Sequence, residues 1–528
     1  MTTFVWINLA HCRMKHSRSL VWSLAACTSI VIARLVFSAT ADASDPWWKA
    51  GEPRIMPARA DYLDASGRVT VVHERGSFQT KGHPFFSPIG SNGRACITCH
   101  QPSDAMGLSV DTIRRRWEAT SGKDPLFAPI DGSNCPSLPQ ADRASHSLLL
   151  DRGLIRVYLP WPPRRAGAAA LQPEFTIEVI NDPTGCNNDP VYGLHSAVPT
   201  ISVFRRPRPV ANLKYLLELP HGVPPADFLF YNDKTLLPIN PETGGFATLQ
   251  LMSDGRDLTP KLQARDAAAT HLEARQALSS EQLQQIEDFE KSIYAAQGFD
   301  NTGLALTGEG APPGLGPEAL ENGAPARLGN NPINRIFGSF AMWQKAAVAE
   351  DATAQQHQQG LFRESVARGA DIFYLRRFLI SDVGKYNDKG LGNPFKRSCG
   401  SGCHNTLLMG MDLAPGYMDL GLNNLPWATP RPDLPLFKVV CDPSAPAQSY
   451  LGRVIYTHDP GRALITGKCI DVGASMTQQS RGLAARAPYF MNGSAANLRE
   501  LVDFYDRRFN IGYNESEKQD LVNFLSVL

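Results

Sequence analysis

Beyond residue 37 no stretch approaches the roughly 20 apolar residues that a membrane-spanning helix requires, so the body of the chain is not expected to cross a bilayer. Neither sign of charge is in excess: 52 lysines and arginines face 51 aspartates and glutamates, a net charge of +1. That balance excludes the basic footprint of a nucleic-acid binder, and there is no acidic tail. Cysteine is scarce, ten in 528 residues. No second Cys-x-x-Cys exists to complete a structural zinc cage. Histidine is missing altogether between residues 101 and 145.

What is there is concentrated first at Cys96-Ile97-Thr98-Cys99-His100. Two thiols three positions apart, followed at once by histidine, form the attachment signature of c-type haem. The thiols add across the two haem vinyl groups, and the adjacent imidazole reaches the iron from the proximal side. A looser copy, Cys399-Gly400-Ser401-Gly402-Cys403-His404, carries one extra residue between the cysteines. Its two glycines give the backbone freedom to absorb that residue and still present both sulfurs. Two covalently bound c-type haems are therefore expected. With no histidine in 101–145, the first iron has no nearby imidazole for its far side, and Met106 lies too close to His100 in sequence to serve.

The other cysteines divide by region. Cys12 and Cys27 lie in an apparent leader, and Cys135, Cys186, Cys441 and Cys469 remain. An even remainder in an exported chain points to Cys135–Cys186 and Cys441–Cys469 disulfides, with free buried thiols as the alternative. The leader has a basic start at Met14-Lys15-His16-Ser17-Arg18 and an apolar run from Leu20 to Phe37. Ala39-Thr40-Ala41 and Ala41-Asp42-Ala43 then offer small-x-small cleavage sites. Residues 1–43 thus read as a signal peptide and the mature protein as periplasmic. Leu24-Ala25-Ala26-Cys27 resembles a lipoprotein box, so a lipid anchor at Cys27 is the competing reading.

Along the mature chain, residues 44–93 carry few periodic signals, and Leu108 to Trp117 predicts a short helix. Leu148-Leu149-Leu150, Leu154–Leu159 and Phe175–Ile180 are strand-like runs between Pro and Gly clusters. They mark a β-rich insertion over about 135–200. Asp257 to Gln297 reads as helical, with a Ser279/Gln282 capping box and Leu283, Ile286 and Ile293 on one face. The Gly-, Pro- and Asn-rich stretch 298–330 reads as a linker. It closes an N-terminal domain of residues 44–330 and precedes a C-terminal domain of 331–528. The last helix is expected from Ser516, with Gln519 closing its cap and Leu521, Val522, Phe524 and Leu525 buried.

Three motifs carry a family resemblance. They are Ala487-Pro488-Tyr489-Phe490-Met491-Asn492-Gly493-Ser494 running on to Leu498–Tyr505, Arg368-Gly369-Ala370-Asp371-Ile372-Phe373, and Ser253-Asp254-Gly255-Arg256 followed by Gln263 and Glu273. In order and spacing the chain resembles the bacterial di-haem cytochrome c peroxidases and their relative MauG. The resemblance implies a mainly α fold of two cytochrome c-like haem domains, the β-rich insertion being extra. It also implies a peroxidatic haem on His100, open on its far side, and a second haem on His404. The second axial ligand there is Met in electron-accepting peroxidases and Tyr in MauG-type enzymes. Tyr505 stands at that position, with Met491 and Met476 as rivals and a core tyrosine as the bland reading. Gln263 and Glu273 keep the spacing of the family's peroxide-pocket pair. Glu273 would move a proton between the peroxide oxygens, and His271, two residues away, could take that role instead.

Two departures weaken parts of the likeness. The tryptophan that lies between the haems in the family is Ser253 here. The family's Arg-Asn-x-Pro stretch, whose Asn helps bind an interdomain calcium, is Arg205-Arg206-Pro207-Arg208. Arg206 cannot ligate a cation, which speaks against calcium. The expectation is an exported di-haem peroxidase that reduces hydrogen peroxide at the His100 haem and shares oxidising equivalents with the His404/Tyr505 haem, in MauG-like high-valent chemistry. An electron-donor protein or a protein substrate, not identifiable from sequence, would be its partner. The alternatives are a cytochrome c peroxidase fed by a donor protein, a di-haem oxygenase of the rubber-cleaving type, and a non-catalytic electron carrier.

Overall fold

The computed structural model describes residues 47–164, 170–217, 251–323, 336–344, 351–389, 392–400, 404 and 417–528. The expected leader, with Cys27 and both cleavage sites, lies outside them, as does Cys403. Strands β1 (Arg59–Asp64) and β2 (Gly67–His73) form an antiparallel hairpin with Tyr62 opposite Val69. Its turn is stapled by Asp64, whose carboxylate accepts the Ser66 N–H at 2.7 Å. Helix α1 (Val110–Thr120) starts at Ser109, whose hydroxyl accepts the Thr112 N–H at 3.1 Å. Three more strands follow: β3 (Ile155–Pro160), β4 (Phe175–Asn181) and β5 (Thr200–Arg205), with β3 and β5 paired antiparallel. Next come α2 (Pro260–Thr270), α3 (Ser280–Lys291) and β6 (Ile293–Phe299), which adds to the hairpin beside β2.

The second half opens on α4 (Ala354–Leu375), capped by Thr353 and Gln356. Short strands β7 (Tyr417–Met418), β8 (Leu436–Cys441), β9 (Val454–Thr457) and β10 (Ser475–Met476) follow. Strand β7 pairs with β10, and β8 pairs with β9 on one side and β4 on the other. The insertion is therefore not a free-standing appendage. Its strand β4 completes a sheet whose other members come from residues 436–457. Helices α5 (Leu498–Phe509) and α6 (Glu515–Ser526) end the chain.

The expectation of a mainly α fold is overturned: helix makes up 33% and strand 18%, the latter in many small sheets. The physical reason lies in burial. Val69 through His73 on β2, and Ile293 through Gly298 on β6, are buried on both faces. A strand covered on both sides loses the alternation of apolar and polar residues that marks it in sequence. Thus residues 44–93 looked unpatterned, and Ile293 looked like a continuation of the α3 face. The Ser279/Gln282 capping box and the buried Ile286 are as expected. Leu148-Leu149-Leu150, read as a strand, is a short helix over Ser147–Arg152 with all three leucines buried. The last helix is capped by Asn514 with Glu517, two residues earlier than Ser516 and Gln519.

A core of α4, α5 and α6 gathers Phe340, Trp343, Val366, Phe373, Leu498, Val502, Leu521, Phe524 and Leu525. Each large side chain buried there stabilises the fold by about 1.5–3 kcal/mol. The Arg368-Gly369 pair explains itself in this packing. A Cβ on Gly369 would stand 2.0 Å from the Asp520 carbonyl oxygen, so only glycine lets α4 approach α6. Arg368 then clasps the Asp520 carboxylate with two hydrogen bonds of 2.9 Å. Leu306 and Leu315, inside the Gly- and Pro-rich stretch, are buried in this same core. Among the described residues no helix is long and apolar enough to cross a membrane.

Candidate functional site

Cys96, Ile97 and Thr98 form one tight turn, so the His100 N–H returns to the Cys96 carbonyl at 3.1 Å. The longer copy closes in the same way. The His404 N–H reaches the Cys399 carbonyl at 3.0 Å, so the extra residue is taken up between those two ends. Histidine thus returns to the same first-cysteine carbonyl in both motifs, despite the different spacer. His100 Nδ1 faces the Met106 carbonyl at 3.2 Å. A carbonyl only accepts, so Nδ1 carries the proton and Nε2 is left to coordinate. Burial pushes His100 down to about 4, with the Met106 bond opposing and His271 adding a little repulsion. The ring is therefore neutral at ordinary pH, the form that binds metal. Met106 lends its carbonyl to His100 and its side chain is sealed in the core.

Cys96, Cys99 and Cys399 are free thiols. Burial pushes Cys99 and Cys399 up to about 11 and raises Cys96 as well. The described cysteines outside the motifs are all bonded: Cys135 to Cys186 and Cys441 to Cys469, with Cα atoms 5.2 and 5.7 Å apart.

The end of α2 packs against the first motif. Leu272 and Ala274 join Ala95, Cys96, Ile97 and Phe85 in one apolar cluster. A Cβ on Gly90 would collide with the Leu272 carbonyl at 1.6 Å, so the loop before Cys96 touches the α2 turn backbone to backbone. Polar tethers reinforce this. Asn92 Nδ2 donates to the His271 carbonyl at 2.9 Å, and Arg94 donates to it at 3.2 Å. His271 Nδ1 lies 2.6 Å from Asp131 Oδ2, and Arg94 pairs with the other oxygen of that carboxylate. Burial alone would push Asp131 up, but the Arg94 guanidinium and the His271 hydrogen bond hold it below the usual carboxylate range. Glu273 follows with a left-handed backbone, φ 52°, a conformation that costs a non-glycine residue about 1–2 kcal/mol. Gln263 sits half-buried two turns earlier on α2, about 12 Å along the helix axis from His271. His271 and Glu273 are thus brought to the first motif, whereas Gln263 is offset from them. Asp131 and Arg94 carry no sequence signal, because the contact with His271 spans 140 residues.

The second motif opens on a largely apolar cavity lined by Cys399, His404, Tyr505, Met476 and Met491 among others. Leu501, Val502 and Tyr505 of α5 face into it together, the helical spacing that placed Tyr505 inward. The His404 and Tyr505 rings lie 6.4 Å apart, their planes at 76°. Of the rivals, Met491 Sδ already accepts a hydrogen bond from Asn423 Nδ2 at 3.6 Å, and Met476 sits on β10. Gly107 and Leu108, directly after the first motif, form part of this cavity's wall. His100 is thus joined to the wall of the second cavity through Met106.

At the positions that depart from the likeness, Ser253 is buried and its carbonyl accepts the Met476 N–H at 2.9 Å. Two residues on, Gly255 lies against the ring of Tyr417, over which the Arg462 guanidinium stacks at 3.7 Å. Arg205 pairs with Asp254 and Asp459 in full burial. Arg206 donates to the Leu108 carbonyl and, at 2.9 Å, to that of Arg486.

At the first motif two free thiols and a neutral imidazole with one nitrogen spare suit a c-type haem; at the second, the Cys399 thiol and His404 line a largely apolar cavity, with Cys403 outside the described residues. No group of three or more metal-ligating side chains competes among the described residues. Comparison with known proteins adds a short match. No protein-family model and no solved structure matches the chain. The cytochrome-c peroxidase IdrP1 of Pseudomonas sp. (strain SCT) is 37% identical over 81 residues, which cover 13% of this chain and 21% of that protein. The chain therefore spans about a fifth of the length of the curated relative it matches, and over that stretch it is similar to a peroxidase cytochrome.

Proposed function

We propose that this chain is an exported c-type di-haem peroxidase that reduces hydrogen peroxide at a haem on Cys96, Cys99 and His100. A second haem on Cys399, Cys403 and His404, with Tyr505 as its other ligand, would share the oxidising equivalents in the MauG manner. The observation that carries the reading is the second cavity, where Cys399, His404 and Tyr505 converge from segments about a hundred residues apart. The similarity to a cytochrome-c peroxidase supports it, and the two disulfides support an oxidising compartment such as the periplasm.

A bound haem supplies the redox-active iron; the chain supplies everything around it. The thiols fix the ring in place, and the Met106 carbonyl holds the His100 tautomer that leaves Nε2 for coordination. The turn after α2 brings His271 and Glu273, the groups able to move a proton. At the second cavity the lining is mostly apolar, with no carboxylate or imidazole other than His404 among the residues named there. A phenolate from Tyr505 is a hard anionic donor and would lower that haem's potential relative to a thioether.

Peroxide turnover with a dye donor separates this enzyme from an electron carrier. Resting ferric spectra should give one high-spin and one low-spin haem. Two low-spin haems with His/Met or bis-His signatures, and no turnover, would sink the peroxidase reading.

A further inference from the structure

The sequence leaves two side chains competing for one task at the turn after α2. Their surroundings differ. His271 is held at both ends: its carbonyl by Asn92 and Arg94, its ring by Asp131. Asp131 is itself immobilised by Arg94, whose remaining N–H groups donate to the Pro125 carbonyl at 2.7 Å and the Leu126 carbonyl at 2.6 Å. The Asp131 side chain is 2% exposed and that of His271 20%. The buried carboxylate accepts from Nδ1–H, so Nε2 is the nitrogen left with its lone pair. A tethered Nδ1–H with a free Nε2 is the arrangement that makes imidazole a directed base. Tyr158 braces the same turn, its hydroxyl donating to the Thr270 carbonyl at 3.3 Å. Glu273 draws no hydrogen bond among the described residues.

We propose that His271, rather than Glu273, moves the proton at the first haem site, with Asp131 and Arg94 as its positioning residues. The inference rests on the peroxidase reading. His271 Nε2 takes the proton from one oxygen of hydrogen peroxide and returns it to the other as the O–O bond breaks and water leaves. The imidazole ends as it began. The two electrons and two protons that complete reduction to two waters come from the external donor and solvent that a peroxidase already requires. Chemistry favours imidazole for this duty. A base works best with its pKa near the operating pH, and histidine starts about two units closer to neutrality than glutamate. The charged and titratable groups around His271 are Asp131 and Arg94 from the loops, His100 from the motif, Tyr158 from β3, and Asp266 and Glu273 from its own element.

The test compares His271→Gln, Asp131→Asn and Glu273→Gln in the haem-loaded protein, with haem content and thermal midpoint checked first. Two readouts are taken: the second-order rate with peroxide across pH 4.5–8.5, and ferric fluoride affinity, which needs a proton donor beside the iron but no turnover. His271→Gln is expected to lower the peroxide rate about 100-fold or more, erase one ionisation from the pH profile, and weaken fluoride binding about tenfold. Asp131→Asn should lose about 10–100-fold and shift that ionisation rather than erase it. Glu273→Gln should lose less than His271→Gln and keep the ionisation. If His271→Gln retains rate, profile and fluoride affinity while Glu273→Gln loses them, Glu273 is the base and His271 only a tether. Should His271→Gln fail to load haem, His271→Asn and the Asp131→Asn profile decide. A wild type that ignores peroxide would end the peroxidase reading, while the fluoride arm would still judge His271.

Discussion

The two motif sites differ more than their sequences do. Around Cys96–His100 an apolar cluster is flanked by interlocked buried charges: Arg94, Asp131 and His271, and the Arg116–Asp124 pair. Around Cys399–His404 the lining is mostly apolar, with Phe373, Leu420, Leu501, Val502 and Phe509; its charged groups are Arg206 and Arg486, and no carboxylate is among the residues named there. Both motifs close the same His-to-Cys turn, so the contrast comes from what is packed against them. Proton handling needs placed acids and bases. Gly107 and Leu108, in the segment that follows the first motif, also form part of the second cavity's wall.

The largest effect expected is loss of one site outright. Cys96→Ala with Cys99→Ala should halve haem staining on a denaturing gel and abolish peroxide turnover, because the first site then holds no haem. Cys399→Ala with Cys403→Ala should also halve the stain yet leave some reaction with the first equivalent of peroxide. If the two double variants behave alike, the division of labour is wrong. Two haems remaining in the first variant would mean that Cys96 and Cys99 attach none.

A subtler break is Tyr505→Met. Thioether in place of phenolate should raise the second haem's potential and shorten the life of the two-electron-oxidised protein by tenfold or more. Peroxide should still react at the first site, since His100 and His271 are untouched. Stopped-flow spectra after one equivalent of peroxide measure this. Unchanged spectra and decay would make Tyr505 a core tyrosine.

The two motifs stood out in sequence by their spacing, and the inward placement of Tyr505 was legible because α5 is amphipathic with Leu501 and Val502 on the same face. The disulfide pairs followed from region and count. Strands β2 and β6 were not legible, since burial on both faces removes their period of two. Nor were Asp131 and Arg94. A carboxylate in an Ile-Asp-Gly turn says nothing until folding sets it beside an imidazole 140 residues away.

The buried ion cluster of Arg205, Asp254 and Asp459 predicts acid behaviour. Burial would push Asp254 up, yet Arg256 and Arg205 outweigh it and hold it at about 2. A carboxylate depressed in the folded state stabilises it above the unfolded pKa of about 4, and that contribution drains away as pH falls through about 2. It is on the order of 2 kcal/mol. Arg205→Met, which leaves Asp459 without its guanidinium and Asp254 with Arg256 alone, should cost about 3–5 kcal/mol at neutral pH. The loss should shrink in acid, where Asp254 takes a proton. Denaturant midpoints at pH 7 and pH 3 check both; an equal loss at the two would mean that the cluster is not electrostatically coupled.

The smallest effect expected is the effect of calcium, and it tests whether the two sites are joined by a metal or by the protein's own cation. Arg206 is fully buried, and its guanidinium donates to the carbonyls of Leu108, beside the first motif, and Arg486, beside the second cavity. Its backbone N–H donates to the Met491 carbonyl at 2.8 Å. Carbonyl oxygens from separate segments are what a calcium ion gathers, and here a guanidinium gathers them. Burial, with Arg486 nearby, lowers Arg206 to about 10, so it stays charged at any physiological pH. A fixed cation needs no ion from solution. Removing divalent ions with a chelator should leave the thermal midpoint and peroxide activity unchanged, and adding millimolar calcium should do no more. Arg206→Met should destabilise, because the Leu108 and Arg486 carbonyls lose their donor and are left unsatisfied, at about 1–3 kcal/mol each. A midpoint that falls with chelator and recovers with calcium in the wild type would show that a metal, not Arg206, joins these segments.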